Sequence, residues 1–260
     1  MSTDIGIFTV LDLSEMADCL KYQSVIGKVL SVSSTTVRNR SESDIHRYLV
    51  FHKPYGVLSK FTDPEGRTTL ANYISLQHIY PVGRLDMDSE GLLVLTSDGT
   101  FAHHLTSPSS KVSKTYWVQV ERIPNDDALE RLRNGVIIQG KRTRPACVTL
   151  LNPEPDIAPR SVPIRFRKSV ATAWLRMNIT EGMNRQIRRM TAQVGHPTLR
   201  LIRVAIGTIQ LGNLPIGQWR ELSMTEVKAL WPGREFLGGS GRRPPKGSRA
   251  VRPKFPPRFL

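Results

Sequence analysis

The sequence predicts an α+β fold built on a mixed, mostly antiparallel β-sheet. Many short runs have the composition of strands, whereas only two or three segments show helical spacing of their apolar residues. These elements do not alternate in the strand–helix–strand order that is typical of a parallel sheet. With 260 residues, 39% of them hydrophobic, the chain is long enough to bury a sizeable core as one large domain or as two lobes.

The strands of the first half are predicted from short runs that end at turn residues. Residues 47–54, RYLVFHKP, contain strand formers and stop at a proline, which cannot donate to a strand ladder. Residues 91–99, GLLVLTSDG, are an apolar run closed by a turn, which is typical of a strand buried on both faces. Residues 114–121, KTYWVQVE, combine β-branched and aromatic side chains and predict a third strand.

The second half predicts two helices and a further strand. Residues 125–134 start with Asn125 as a candidate N-cap, carry acids in the first turn and precede a glycine. Residues 172–182, TAWLRMNITEG, predict a strand. Residues 183–197 predict the second helix, which we expect to end at Gly195 and Pro197 because these residue types terminate helices.

The two ends of the chain lack the composition of a packed core. Residues 1–45 pass into a Ser/Thr-rich stretch, and we expect a poorly ordered leader with at most a short helix at residues 15–22. Residues 237–260 carry seven Lys or Arg and no acid among many Gly and Pro, which predicts a disordered basic tail. The folded domain is therefore expected within residues 46–236.

The net charge of +15 predicts a polyanionic partner. Nucleic acid is the first candidate because Lys and Arg displace condensed counterions from phosphates, and an anionic membrane surface is the alternative. No apolar run approaches the roughly 18 residues that span a bilayer. Cys19 and Cys147 show no disulfide or thiolate-site spacing, and residues 1–45 lack a secretory signal pattern. We therefore expect a cytoplasmic protein.

One short stretch, GRLDMDSEG at residues 83–91, is acidic although the rest of the chain is basic. Asp86, Asp88 and Glu90, with the glycine that follows, match the opening of a calcium-binding loop. The decisive bidentate glutamate of such a loop would fall at Ser97, so the ligand set is incomplete. The six histidines show no zinc-ligand spacing. No metal site is predicted.

Two explanations of these acids remain. Asp86 and Asp88 could be turn residues with Arg84 as a local partner, or one of them could be a functional carboxylate. Gly83 and Gly91 bracket the acids and imply a tight backbone. A carboxylate beside a buried strand also needs a cation, because an unpaired buried charge is strongly destabilising.

The second predicted helix offers such cations. No Asp or Glu occurs between residues 182 and 220, where arginine is frequent. Arg185, Arg188 and Arg189 have the spacing of one helix face. The spacing of the apolar residues places a core face opposite: Ile187, Met190 and Val194. A solvated basic face is the alternative, but the lack of acids on that face favours contact with phosphate or carboxylate.

Four collinear blocks of the sequence now point to a known family. They are HKPYGVLSKF at residues 52–61, GRLDMDSEGLLVLTSDG at 83–99, KTYWVQV at 114–120 and EGMNRQIRRMTAQVGHPTLRLIR at 181–203. Together they resemble the ribosomal RNA pseudouridine synthases, in the branch that includes the small-subunit enzyme, and within it they look most like large-subunit enzymes. The resemblance runs from about residue 48 to residue 229.

The resemblance implies a fold and a reaction. The fold is that of the pseudouridine synthases, in which a bent sheet forms two lobes with a cleft between them. The reaction converts a specific uridine of large-subunit (23S) ribosomal RNA to pseudouridine by base flipping, without a cofactor or metal. Residues 1–45 are too short and wrongly patterned for the small N-terminal RNA-binding domain that is typical of this branch.

The resemblance also assigns roles to residues. Asp86 matches the catalytic carboxylate, Tyr116 the tyrosine that stacks on the target base, and Arg188 the arginine paired with that carboxylate. Arg84 matches the arginine that takes the space of the flipped nucleotide. Asp88 and Glu90 are expected to point away from Asp86. Further RNA contacts are expected from Lys53, Lys114, Arg185, Arg189 and Arg203.

The family's usual residues differ at His52, Ser89 and Met183, and none of these touches the expected catalytic residues. Whether the carboxylate attacks C1′, adds to the ring or removes the C2′ proton stays open, as does whether Tyr116 or a water takes the C5 proton. A noncatalytic rRNA-binding or ribosome-assembly protein on the same fold is the alternative function. A monomer is the default expectation, and the basic tail is expected to add nonspecific RNA affinity.

Overall fold

The computed structural model describes residues 46–164 and 170–235. The expected leader, with its short helix, and the expected basic tail lie outside these described residues. The division into a leader, a catalytic domain at residues 46–236 and a tail stays a prediction. Among the described residues, no helix is both long and apolar enough to cross a membrane.

Most elements of the described region are strands. The strands are β1 (Tyr48–Lys53), β2 (Tyr80–Pro81), β3 (Glu90–Thr96), β4 (Lys114–Glu121), β5 (Ile137–Ile138), β6 (Lys141–Arg142), β7 (Cys147–Leu151), β8 (Thr172–Ile179), β9 (Thr198–Ile206), β10 (Ile209–Gln210) and β11 (Trp219–Glu221). The α-helices are α1 (Gly99–Thr106), α2 (Asp126–Asn134), α3 (Gln186–Gln193) and α4 (Met224–Leu230). Short 3₁₀ turns occupy Leu70–Asn72 and Pro108–Ser110.

Within the described residues, nine strands form one sheet in the order β11-β1-β3-β9-β4-β8-β7, with β2 added to β3 and β10 added to β9. The strands β5 and β6 form a separate pair. Every pairing of the large sheet is antiparallel except that between β3 and β9. The sheet is therefore mixed and mostly antiparallel, as the sequence predicts.

The parallel pairing joins two halves of the sheet. On one side lie β11, β1 and β3, and on the other lie β9, β4, β8 and β7. The halves meet where Glu90 pairs with Ile202 and Gly91 pairs with Arg203. Gly91 has φ of +102°, and a Cβ at this position would lie 2.3 Å from the carbonyl oxygen of Arg203. Only glycine allows the two backbones to approach this closely.

Strand β3 is buried on both faces, as its continuous apolar run predicts. Leu93 and Leu95 belong to the larger hydrophobic cluster, and Leu92 and Val94 belong to the smaller one. The larger cluster draws residues from both halves of the sheet, including Val118 of β4. One core therefore continues across the junction, and the division into two lobes with a cleft stays a prediction.

The predicted elements match the structure closely. The strands expected at residues 47–54, 91–99, 114–121 and 172–182 are β1, β3, β4 and β8. The helix expected from residue 125 is α2, and the side chain of Asn125 accepts from the amide of Ala128 as its N-cap. Ile187 and Met190 of α3 and Val194, the residue directly after it, are buried, as their spacing predicts.

Helix α1 was not predicted, because its start reads as a turn in the sequence. Asp98 caps it by accepting a hydrogen bond from the amide of Phe101 (2.9 Å). The helix then buries Phe101 and Leu105 in the smaller cluster. An Asp–Gly pair after a strand is a turn signal, yet the same Asp is also a good helix cap, and burial of the two apolar residues decides between them.

Candidate active site

The acidic stretch forms the loop that leads from β2 into β3. It ends where β3 begins to pair with β9, so it lies at the junction of the two halves of the sheet. The backbone turns tightly, because the amide of Ser89 donates to the carbonyl of Asp86 (3.0 Å). The side chain of Asp86 is 34% exposed. The loop thus presents this carboxylate at the surface beside a buried strand.

Polar contacts hold the loop backbone on the side of β1. The hydroxyl of Ser59 donates to the carbonyl of Leu85 (2.7 Å) and accepts from the amide of the same residue (3.1 Å). The amide of Gly56 donates to the carbonyl of Met87 (2.8 Å). These bonds satisfy backbone groups that a loop would otherwise leave to water, so the loop is held in one conformation.

Lys53 lies beneath the loop and has no exposed surface. Its ammonium group donates to the carbonyls of Ser89 (2.7 Å) and Pro54 (2.9 Å), with a longer contact to Met87 (3.5 Å). Burial lowers the pKa of Lys53 to about 8, against the opposing attraction of Glu90 and its neighbours. In this structure Lys53 is not accessible for the predicted RNA contact, because its ammonium is used inside the protein to hold the loop.

Arg185 binds both aspartates of the loop. Its guanidinium donates to Asp88 through Nη1 (3.0 Å to Oδ1) and Nη2 (2.8 Å to Oδ2), and Nη1 also lies 3.4 Å from Oδ2 of Asp86. Burial alone would raise the pKa of Asp88, but the hydrogen bond from Arg185 and the charge of Arg188 outweigh it and lower this pKa. The expectation that Asp88 points away from Asp86 is wrong, because both carboxylates turn toward the same guanidinium.

The position of Arg185 differs from the prediction. It is the N-cap residue of α3 and has a left-handed backbone with φ of 50°, so it precedes the helix rather than lying on its face. This conformation is uncommon for a residue with a side chain. The predicted arginine face is therefore divided: Arg185 reaches the loop from the helix start, whereas Arg188 and Arg189 lie within the helix.

Arg188 contacts the loop at Asp88 rather than at Asp86. Its Nη2 donates to the backbone carbonyl of Asp88 (2.7 Å), and its Nε lies 3.4 Å from the carboxylate of the same residue. Its Nη1 donates to the carbonyl of Thr198 (3.3 Å). The predicted direct pairing of Arg188 with Asp86 is not formed, because Asp88 and Thr198 already occupy the guanidinium.

Glu90, expected to shape the turn, is instead part of a buried ion pair. Arg200 binds its two oxygens through Nε (2.9 Å) and Nη2 (2.8 Å), and only 3% of the Glu90 side chain and 6% of the Arg200 side chain are exposed. Sequence reasoning missed this pair. The signal for it was an acid at the start of an apolar strand, which requires a cation, but nothing in the sequence indicates which arginine supplies it.

Tyr116 and Arg203 face each other across β4 and β9, and both are buried. Tyr116 shares the larger hydrophobic cluster with Leu85, the residue before Asp86. The Nε of Arg203 donates to the carbonyl of Leu92 in β3 (2.7 Å). In this structure Arg203 is not accessible for the predicted RNA contact, because this buried side chain links the two halves of the sheet.

The other predicted RNA contacts lie nearer the surface. Arg84 is exposed and Arg189 is partly buried, with its Nη2 donating to Asn184 (2.9 Å). Lys114 donates to the carbonyl of Val112 (3.0 Å), and burial, with the charge of Arg203, lowers its pKa to about 8. Their contacts with RNA stay predictions. Within the described residues, no group of three His, Cys, Asp or Glu is placed to hold a metal ion.

Known proteins resemble this chain in sequence and structure. The profile of the family described as RNA pseudouridylate synthase matches residues 47–193. A ribosomal large subunit pseudouridine synthase E from Vibrio parahaemolyticus is 51% identical over 178 residues, which cover 68% of this chain and 74% of the relative. The enzyme of the same name from Xanthomonas campestris is 51% identical over 188 residues, covering 72% and 99%.

A solved crystal structure of a pseudouridylate synthase agrees with these relatives. It superposes with a TM-score of 0.61 at 26% sequence identity and covers 72% of this chain and 74% of its own. The match of the family profile includes the loop with Asp86 and the start of α3, so it covers the parts that assemble the site. This chain belongs to the RNA pseudouridylate synthase family.

Proposed function

We propose that this protein isomerises a uridine of large-subunit ribosomal RNA to pseudouridine, with Asp86 as the catalytic carboxylate. The observation that carries the proposal is the exposure of this carboxylate together with the contacts that hold it. Asp86 is one third exposed, lies on a loop whose backbone is held by hydrogen bonds, and has the guanidinium of Arg185 at 3.4 Å. The relatives that are half identical to this chain are large-subunit rRNA enzymes, which supports the same substrate class.

The chemistry needs an ionised carboxylate at a fixed position. During isomerisation the N1–C1′ bond breaks, the uracil turns and C5 bonds to C1′, while C5 loses a proton and N1 gains one. Attack on C1′, addition to the ring and removal of the C2′ proton all require Asp86 to be ionised. A loop held in one conformation keeps the carboxylate oriented, and the guanidinium of Arg185 lies 3.4 Å from it.

The substrate must reach this carboxylate by leaving its stack. A base inside folded RNA is accessible to an enzyme only when it is flipped out, and aromatic or guanidinium groups receive such bases. Tyr116 belongs to the same hydrophobic cluster as Leu85 of the loop, and Arg84 is exposed two residues before Asp86. These two side chains are proposed to receive the base and to fill its place. Lys114, Arg185 and Arg189 are proposed to contact the RNA around the site.

The experiment measures tritium release from ribosomal RNA labelled at C5 of uridine. Wild-type protein is expected to release tritium, and Asp86→Asn is expected to reduce the rate by about 10²- to 10⁴-fold because the isosteric amide is neither a base nor a nucleophile. Binding of the same RNA is measured by filter retention, and we expect the variant to keep it.

A matched control is Asp88→Asn, which changes the neighbouring carboxylate bound by the same arginine. It is expected to lower the rate less than Asp86→Asn does. If both variants lose the same amount of tritium-release rate, Asp86 has no special role in the reaction. If wild-type protein binds ribosomal RNA but releases no tritium from it or from large-subunit precursor particles, the noncatalytic rRNA-binding or assembly protein becomes the better description.

The remaining expectations follow from this function. A protein that modifies ribosomal RNA is proposed to act in the cytoplasm, as a monomer and without a metal or a membrane. The basic residues 237–260 are proposed to add affinity for RNA that does not depend on sequence. Deleting residues 238–260 should then weaken binding and reduce its salt dependence. Unchanged affinity and salt slope would contradict that role.

A further inference from the structure

We propose that Glu90 and Arg200 are a positioning pair that sets the place of the Asp86 loop relative to the half of the sheet that carries Tyr116. The proposal rests on the function assigned to Asp86 above. Neither side chain reaches the substrate, since both are almost fully buried. Their effect on the reaction is therefore exerted through the loop.

The geometry places the pair directly behind the catalytic loop. Glu90 is the first residue of β3 and lies four positions after Asp86. Arg200 belongs to β9 in the other half of the sheet, and its two hydrogen bonds of 2.9 and 2.8 Å form a planar fork with the carboxylate. A bidentate pair of this kind constrains orientation as well as distance. The loop is thus tied to the opposite half at the strand residue that directly follows it.

The pair works together with the closest backbone contact of the junction. Only Glu90 and Gly91 of β3 pair with β9, and Arg203 adds a bond from Nε to the carbonyl of Leu92 (2.7 Å). These contacts directly link the strand that follows the loop to the half-sheet that carries Tyr116, and the larger hydrophobic cluster also continues across the junction. Because the pairing is so short, side-chain links have a large share in fixing the angle and distance between the halves.

Arg200 also reaches the chain between β7 and β8. Its Nη2 donates to the carbonyl of Ala158 (3.1 Å). Nearby in the same segment, the guanidinium of Arg160 lies 4.0 Å from the ring centroid of Tyr55. Tyr55 directly precedes Gly56, whose amide holds the loop at Met87. Arg200 therefore contacts both the loop's strand and a segment that packs against the loop's support.

A purely stabilising role explains the pair less well. Burial of two charges is expensive, and apolar side chains of similar volume often stabilise a protein as well as, or better than, a buried ion pair does. A pair that serves only stability could be replaced by such residues without effect on the reaction. A positioning pair could not, because apolar contacts lack the direction of the bidentate hydrogen bonds.

The experiment separates these roles with the double variant Glu90→Leu/Arg200→Met. Its folding is measured by urea denaturation, RNA binding by filter retention, and the chemical step by single-turnover tritium release at saturating RNA. We expect a folded protein with unchanged RNA affinity and a single-turnover rate reduced about 10- to 100-fold, because displacements near 1 Å cost this much in rate. A folded double variant with the wild-type rate overturns the proposal.

The variant Glu90→Gln gives a second test if the double variant does not fold. It keeps the shape of the side chain and one hydrogen-bonding oxygen, and its rate is expected to fall while its RNA affinity stays unchanged. A rate loss that only follows the folded fraction would contradict positioning. Wild-type protein without tritium release would instead contradict the proposed function, so the two failures are distinguishable.

The matched control is Arg234→Gln, which breaks the ion pair with Asp98, two residues after the end of β3. Arg234 lies 3.0 Å from Asp98, whose side chain is as buried as that of Glu90. This pair lies beyond the far end of β3, away from the loop. The control is expected to lower the stability without changing the single-turnover rate. A similar rate loss in the control would show that any weakened ion pair has this effect, which also overturns the proposal.

Discussion

The two ends of strand β3 each place a buried carboxylate beside an arginine, yet their surroundings differ. At the start of the strand, Glu90 is bound by Arg200 with two hydrogen bonds of 2.9 and 2.8 Å. Beyond its end, Asp98 accepts a hydrogen bond from Tyr48 (2.7 Å) and contacts Arg234 (3.0 Å). The side chains of both acids are at most 3% exposed.

The far end of β3, at Asp98, is covered by a helix, whereas the near end, at Glu90, adjoins an exposed loop. Asp98 caps α1, and the apolar side of that helix packs over the smaller hydrophobic cluster. Glu90, in contrast, follows a loop in which Asp86 and Asp88 are each about one third exposed and share Arg185. Similar ion pairs thus stabilise a closed corner at one end and support an exposed pair of carboxylates at the other.

The largest effect is expected at the near end from Gly91→Ala, which adds a methyl group where β3 approaches β9. A Cβ there would lie 2.3 Å from the carbonyl oxygen of Arg203, and φ is +102°. Steric overlap and backbone strain should together lower the free energy of unfolding by about 3–5 kcal/mol, measured by urea denaturation. Gly56→Ala is the control, because its φ is +78° but no atom lies within 4 Å. Equal losses in the two variants would show that the close approach at the junction is unimportant.

The next effect concerns the far end. Asp98→Ala removes the cap of α1 and leaves Tyr48 and Arg234 without this carboxylate. The free energy of unfolding should fall by about 2–4 kcal/mol. The single-turnover rate of the folded protein should not change, because this corner is far along the strand from Asp86. If the rate falls by more than the fraction of unfolded protein explains, the Asp98 corner also affects the reaction, which would contradict this prediction.

A smaller effect on the reaction is expected from Arg185→Gln at the near end. The rate should fall about 10- to 30-fold, which corresponds to roughly 1.4–2 kcal/mol in the barrier, because Asp86 and Asp88 would then repel each other without a shared cation. The free energy of unfolding should change by less than about 1 kcal/mol, since Arg185 is 40% exposed. Single-turnover tritium release at saturating RNA measures the rate.

The control for this variant is Arg67→Gln, which breaks an ion pair with Asp63 outside the site. Its rate should equal that of the wild type. If Arg185→Gln also reacts at the wild-type rate, the guanidinium is not needed to orient Asp86 for the reaction.

The smallest effect is expected at an exposed pair that belongs to neither end. The hydrogen bond from Arg220 lowers the pKa of Glu226 from 4.5 to about 2. Because the pKa is lower in the folded state, the pair stabilises the protein above about pH 4.5 and loses this contribution as the pH falls toward 2. Solvent screening keeps the contribution below about 1 kcal/mol. The stability difference between wild type and Glu226→Gln should therefore shrink over this pH range in urea denaturation.

Much of the fold could be predicted because the informative segments carry strong local patterns. The uninterrupted apolar run of β3, the β-branched and aromatic residues of β4 and the capped helix α2 each identify their structure without reference to the rest of the chain. Helix α1 could not be predicted in this way, because its cap is also a turn signal. Only burial of Phe101 and Leu105 makes the helical alternative favourable.

For the site, the sequence identified the loop but not its partners. The acids of residues 86–90 and the arginines near residue 185 were expected to meet, and they do. Which arginine meets which acid was predicted wrongly, since Arg188 binds Asp88 and Arg185 bridges Asp86 and Asp88. Spacing along a chain indicates which residues share a helix face, but one left-handed residue at the helix start changes where a side chain reaches.

By itself, the sequence determined the class of fold, the strands and helices with clear periodicity, the family, and Asp86 as the candidate catalytic carboxylate. The fold class and its elements follow from local pattern, whereas the family and the role of Asp86 follow from the resemblance of four collinear sequence blocks to known enzymes. Only the tertiary structure decided that Lys53 and Arg203 are buried supports, and that Glu90 pairs with Arg200, 110 positions away. The physical reason is that the burial and pairing of a charge depend on which strands become neighbours, and the parallel contact of β3 with β9 cannot be read from either strand alone.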